Sequence, residues 1–241
     1  MTRMPAMSLP RAAVTSGNQP GPIAPAIEAS ALMDIALNWQ GPVAAGCIPV
    51  AVGDDLDALS RAGIYLRVKS YQGGRLVAYG GQTVNLFKRF DEHLRGTLGL
   101  DYVLRDSAGD VAVERGVGAR MAAYNDLPRV AALALDEAVR TRFLYAPCGE
   151  SFDPELLNLA ETLLVERLRE RLGAAAGIER SSSLRAVENL NRPPRPDETP
   201  GCLMHNELED LDDENQILMG QLLGAEPMIA SEAAMGWGDY G

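Results

Sequence analysis

Arg89 and His93 stand four residues apart on a segment whose apolar positions repeat as a helix repeats. At about 3.6 residues per turn, Leu86, Phe87, Phe90 and Leu94 share one face of a helix predicted over 84–95. Lys88, Asp91, Glu92 and Arg95 share the opposite face. Arg89 and His93 are therefore neighbours on one flank of the apolar stripe. From there a guanidinium and an imidazole can reach across the layer on which the helix packs. The alternative is a boundary pair whose polar heads turn to solvent. Glu161 poses a sharper question. It falls inside the stripe of Leu157, Ala160, Leu164, Leu168 and Leu172 on a second helix predicted over 154–172. Burying an ionised carboxylate costs several kcal/mol unless a partner compensates. That partner is an arginine, a proton held by a raised pKa, or a divalent cation, and these readings stand side by side.

The order of residues around these two helices carries a resemblance. Gly63-Ile64-Tyr65 is succeeded by Tyr79-Gly80-Gly81-Gln82-Thr83, then Asn85-Leu86, Arg89 and His93. This run resembles the signature of the GIY-YIG nuclease family. Asp57-Ala58-Leu59-Ser60 resembles the family's lead-in, and Glu161 with Leu163-Leu164 and Arg167-Leu168-Arg169 resembles its metal-binding glutamate and helix. The resemblance spans roughly residues 57–173. It implies a metal-dependent endonuclease that hydrolyses DNA phosphodiester bonds with Mg²⁺ (or Mn²⁺) as cofactor. Tyr65 would act as general base or orient the nucleophilic water, with Tyr79 in support. Arg89 would neutralise charge on the scissile phosphate, His93 would bond the phosphate or relay a proton, and Glu161 would hold the metal. Phosphodiester hydrolysis needs such a cation clamp and an activated water. A phenol of ordinary pKa about 10 is a poor base, so Tyr65 needs the metal and Arg89 nearby.

Four departures accompany the resemblance. Thirteen residues separate Tyr65 from Tyr79, more than is usual, and Gly80 replaces a branched residue. The family's later asparagine falls at Gly173 here, with Asn158 as a candidate substitute one turn before Glu161. The connection between the two helices is long, and a C-terminal acidic tail stands where homing enzymes of the family carry basic DNA-reading appendages.

The elements that must position these residues can be read from pattern. The fold class expected is α+β: a small antiparallel sheet of about three strands flanked by helices, with a helical insert and flexible termini. Strands are predicted at 64–71 and 76–79 around the Gln72-Gly73-Gly74-Arg75 turn signal. Parity decides whether the tyrosines meet. A flush two-residue turn at Gly73-Gly74 would put Tyr65 and Tyr79 on opposite faces; an odd loop or a bulge would put them on one. A second hairpin is predicted over 103–116, turning at Ala108-Gly109-Asp110, and a helix over 128–143. Short helices are expected at 31–39 and 54–60, and an amphipathic one running from Met204 to Leu222 and ending near Gly224. The organisation expected is a low-complexity region at 1–45, a nuclease-like domain at 46–190 with an insert at 96–152, and a Pro-rich linker and acidic tail at 191–241.

Charge and cysteines set outer limits. The net charge of −11 argues against a DNA partner until it is located. Residues 196–241 hold 11 acidic side chains and no Lys or Arg, whereas residues 63–195 hold 19 basic and 17 acidic ones. A near-neutral body is compatible with a local basic cleft. The tail reads either as a solvated acidic segment or as a dock for a protein partner or DNA mimic. Three scattered cysteines form neither a disulfide framework nor a zinc pattern, so a reducing cytoplasm is the expected compartment. No stretch is apolar enough to span a membrane. The competing function is a catalytically silent module of the same fold that binds a partner through its tail. An RNA-binding role finds no aromatic stacking platform.

Overall fold

The computed structural model describes residues 33–44, 54–149, 153–172, 185–187 and 202–230. Its centre is the hairpin of β3 (Gly63–Ser70) and β4 (Leu76–Thr83), paired antiparallel without a register shift. Ser70 faces Leu76, so the connecting loop, 71–75, has five residues. Tyr71 N–H donates to the Arg75 carbonyl at 2.9 Å, and Gly73 and Gly74 reverse the chain at φ of 72° and 74°, a left-handed conformation that glycine adopts without penalty. The loop is odd, and the parity condition is met. Tyr65 lies opposite Gly81, and Tyr79 lies opposite Arg67 on the same face.

On the other side of β3 runs β7 (Thr141–Pro147), antiparallel, with β2 (Gln40–Ala44) beyond it. The strand β8 (Arg185–Val187) adds to β4 in parallel, completing a sheet of order β2-β7-β3-β4-β8. Strand alternation sorts its side chains to two faces. Ile64, Leu66, Val68, Ala78 and Leu144 pack under Leu157, Leu164 and Leu168 of α5 (Pro154–Leu172). Tyr65, Phe143 and Tyr145 pack with Leu86 and Phe90 of α2 (Leu86–Leu98) on the other face. There α2 lies beside α4 (Leu127–Arg140). Asn85 starts α2 by accepting from Lys88 N–H at 2.8 Å, a capping bond that satisfies an orphan helix donor. Smaller pieces complete this layer: α1 (Asp54–Ser60), the hairpin β5 (Leu104–Arg105) and β6 (Val111–Val113), and α3 (Val117–Ala123).

A second sheet, of order β1-β9-β10, joins the two ends of the described chain: β1 (Met33–Asn38), β9 (Cys202–Glu207) and β10 (Met228–Ala230). With α6 (Asp213–Leu223) it shares the α5 core through Met204, Leu218, Met219, Leu222 and Met228.

The α+β class is as expected, but several elements differ. Residues 33–38, within the helix expected over 31–39, form strand β1 instead, because Leu37 and Trp39 alternate inward and β1 pairs with the distant β9. The helix expected over 128–143 stops at Arg140, and the chain continues directly into β7, the neighbour of β3. A strand covered on both faces loses the polar alternation that would reveal it. The single C-terminal helix divides into β9 and α6, the latter begun by Asp212, which accepts from Asn215 N–H at 2.9 Å, and ended at Gly224 as expected. Segments 33–44 and 202–230 thus share a core with the central domain and do not stand apart from it. The low-complexity region expected over 1–45 is described only from residue 33, and the Pro-rich stretch that opens the segment expected over 191–241 lies outside the described residues. Among the described residues no helix is long and apolar enough to cross a membrane.

Candidate functional site

Four of the five candidate side chains meet on one face of the sheet. Arg89 donates from Nε to the Tyr65 hydroxyl oxygen at 2.9 Å, and that oxygen stands 2.8 Å from His93 Nε2. The two tyrosine rings stack at 6.0 Å between centroids, and the His93 ring stands edge-on to both, at 5.4 Å and 5.5 Å. The i, i+4 spacing on α2 brings Arg89 and His93 down on the same phenol. Arg89 also donates from Nη1 to Glu92 at 2.9 Å, and among the described residues its Nη2 has no partner. The Glu92 carboxylate is held below its usual range, chiefly by that hydrogen bond.

Two glycines make the approach possible from both sides. A Cβ at Gly81 would lie 2.6 Å from the Tyr65 ring, and one at Gly80 would lie 3.0 Å from Leu164. Adjacent residues of a strand point to opposite faces, so Gly81 admits the tyrosine while Gly80 admits α5. The replacement of a branched residue by Gly80 thus has a packing reason.

Glu161 belongs to that other layer. It is half-buried on α5, between Asn158, which accepts from the Gln82 amide, and Leu164, which lies over Gly80. It therefore lies on a helix that covers the face opposite α2.

Electrostatics set the resting protonation. Burial, reinforced by Tyr79, drives the Tyr65 phenol pKa well above its ordinary value, and the opposing pull of Arg89 and Arg67 does not win. Tyr65 rests as a neutral phenol. Burial, with Arg67, Arg89 and Lys69 adding repulsion, pushes His93 down to about 2, so its imidazole is neutral at any working pH.

Sequence reasoning missed the rest of this face. Arg67 and Lys69 come after Tyr65 at the strand period and are buried, at 3% and 1% exposure. The Arg67 guanidinium lies over the Tyr79 ring at 5.2 Å and the Tyr102 ring at 4.6 Å. Lys69 forms an ion pair with Glu137 of α4, whose other oxygen accepts from Tyr71 at 2.8 Å. Two basic residues in step with Tyr65, alternating with Ile64, Leu66 and Val68, were the available signal. Glu137 and Tyr102 had none, since both come from the insert.

A metal would find a sparse set here. Among the described residues no cluster of three or more His, Cys, Asp or Glu side chains could hold one. Mg²⁺ is commonly held by one or two carboxylates together with waters and substrate phosphate, and the half-buried Glu161 is a single carboxylate of the kind that minimal role needs. No protein-family model, curated protein or solved structure matches this chain.

Proposed function

We propose that this chain is a metal-dependent endonuclease acting on DNA phosphodiester bonds, on a site built from Tyr65, Tyr79, Arg89 and His93, with Glu161 of the opposite layer as its metal ligand. One observation carries the reading: a single phenol, Tyr65, is bonded at once to a cation that can meet a phosphate and to a neutral imidazole that can take its proton. The ordered motif of the sequence supports it.

In this reading Arg89 presents Nη2 to a phosphate oxygen, with Glu92 steadying the guanidinium. Burial chiefly keeps His93 from a proton, and Arg67 and Arg89 add repulsion that a bound phosphate would offset. Tyr65, polarised by Arg89, positions the attacking water. Glu161 would hold Mg²⁺, which when bound supplies Lewis acidity and a more acidic water.

A second reading has its own support. Tyr65 is 0% exposed and His93 2%, so the centre is closed as it stands, as suits a silent module whose buried polar cluster only holds the fold. Plasmid nicking with Mg²⁺ separates the two. The nuclease reading expects supercoiled DNA to be nicked by the full chain and the rate to fall at least roughly a hundredfold in Tyr65→Phe, Arg89→Ala and Glu161→Ala. Silence of the intact chain with both Mg²⁺ and Mn²⁺ refutes it. Cleavage that survives Glu161→Ala removes the metal role from that residue.

A further inference from the structure

The His93 ring has a second nitrogen, and the insert supplies its partner. Nδ1 stands 3.0 Å from the hydroxyl of Tyr102, a half-buried residue in the loop after α2. Two costly local features seat that residue. Gly96 sits within α2, one turn after His93, where glycine costs about 1 kcal/mol relative to alanine. A Cβ there would lie 2.7 Å from the Tyr102 ring, so the glycine is the notch the ring occupies. Leu100 then takes a left-handed φ of 63°, a conformation costing of order 1–3 kcal/mol in a non-glycine residue. Asp101 N–H closes the reversal on the Gly96 carbonyl at 2.8 Å, bringing the chain back against its own helix.

We infer that Tyr102 is the outer member of a proton path, Tyr65–His93–Tyr102, that carries the Tyr65 proton to the surface by tautomer exchange of a neutral imidazole. The inference rests on the nuclease reading for its use, but not for its geometry.

Hydrogen-bond bookkeeping assigns the resting tautomer. The Tyr65 oxygen accepts from Arg89, and its own O–H has His93 Nε2 as acceptor. Were Nε2 protonated instead, the hydrogen of a fully buried phenol would be unsatisfied, at a cost of about 1–3 kcal/mol. Nε2 is therefore bare, Nδ1 carries the ring proton, and Nδ1–H donates to the Tyr102 oxygen. Arg67 Nη1 also stands 3.4 Å from Nδ1, and as a donor it favours a bare Nδ1, but this longer contact is outweighed by the 3.0 Å one to Tyr102.

Transfer then balances at every atom. The Tyr65 proton passes to Nε2 and the Nδ1 proton passes to the Tyr102 oxygen. The original Tyr102 hydroxyl proton leaves to water. The products are a Tyr65 phenolate held by Arg89 Nε–H and His93 Nε2–H, a neutral histidine, a neutral Tyr102 and one released proton. No imidazolium is formed as a resting species. That removes the difficulty posed by the charges facing His93: Arg67 from β3, Arg89 on its own helix, and Lys69 from β3, the last offset by Glu137 from α4. Burial keeps Tyr102 itself in the phenol form at neutral pH.

The test reads the tautomer and the nicking rate together, because a tyrosine that only anchors the ring would move the first and leave the second. The full chain has two histidines, and His205→Gln leaves one. In ¹⁵N-labelled protein the His93 ring is expected as the Nδ1–H tautomer. Tyr102→Phe keeps the ring in its notch but removes the acceptor, and is expected to shift the population to Nε2–H and slow plasmid nicking roughly tenfold or more. Gly96→Ala, which displaces the ring, is expected to reproduce the tautomer change. An unchanged tautomer in Tyr102→Phe overturns the inference. So does a changed tautomer with an unchanged nicking rate. A tautomer that tracks Tyr102 in a chain that never nicks DNA leaves the hydrogen-bonded path standing and refutes the nuclease reading instead.

Discussion

Glu137 lends itself to a quantitative test, because its surroundings are closed on every side. Lys69 and Glu137 are 1% and 0% exposed, and they face each other across β3 and α4. Tyr71 donates to the second carboxylate oxygen at 2.8 Å, and Arg140 Nε stands 4.0 Å away. Removing one member of such a pair leaves an uncompensated buried charge, at a cost of about 3–5 kcal/mol. Lys69→Met and Glu137→Leu are each expected to lose that much. The double variant removes both charges but takes the Glu137 acceptor away from the Tyr71 hydroxyl, so a residual loss of about 1–3 kcal/mol is expected. Adding Tyr71→Phe is expected to bring stability back to within about 1 kcal/mol of the parent, since isosteric apolar replacement of a buried pair is often neutral. At roughly 2–4 °C per kcal/mol for a domain of this size, each single variant should melt about 6–20 °C lower. Urea unfolding monitored by tryptophan fluorescence gives the free energies, and calorimetry gives the Tm. A single variant costing less than about 1 kcal/mol, or a triple variant as unstable as the singles, would refute the assignment of a dry, mutually dependent cluster.

Other expectations concern the site and its supports. Gly81→Ala places a Cβ 2.6 Å from the Tyr65 ring and should cost about 1–3 kcal/mol while disturbing the tyrosine signals in NMR. Gly80→Val presses on Leu164 instead, so it should lower stability similarly and, in the nuclease reading, cut nicking by moving the helix that bears Glu161. His93 binds a proton in the unfolded chain below its ordinary pKa of about 6.5 but not in the folded one until about 2. Its contribution is therefore complete above about 6.5 and is lost as pH falls through that window, by at most about 1.4 kcal/mol per pH unit. Urea midpoints of the parent should fall more steeply with acid than those of His93→Gln. Truncation after Pro194 removes Cys202, Met204, Leu211, Leu218, Met219, Leu222, Leu223 and Met228 from the core. Each such side chain contributes about 1.5–3 kcal/mol, more in sum than the whole stability of a typical domain, so circular dichroism should show an unfolded or aggregated product. An active truncated enzyme would contradict that packing.

The last expectation also changes what the acidic C-terminal segment means. Its described part is not a tethered strip laid over a cleft. It supplies β9, α6 and β10, with Arg142 bonded to Glu214 at 2.7 Å and Arg167 to the Pro227 carbonyl at 2.9 Å. The insert likewise has work in the fold, since Glu137 neutralises Lys69 and Tyr102 reaches His93.

The sequence by itself determined the local geometry of α2 and α5, the hairpin, and the condition under which two tyrosines could share a face. Those features come from period and turn chemistry, which act between residues a few positions apart. It also carried, unread, the step of Arg67 and Lys69 with Tyr65. Only the tertiary structure decided that α5 covers the face opposite α2, that residues 141–147 form the strand beside β3, and that β1 pairs with β9. Those pairings join residues far apart in the chain. The short-range apolar spacing of residues 31–39 and 204–222 fits a helix or a strand equally well until a partner strand takes up its backbone hydrogen bonds.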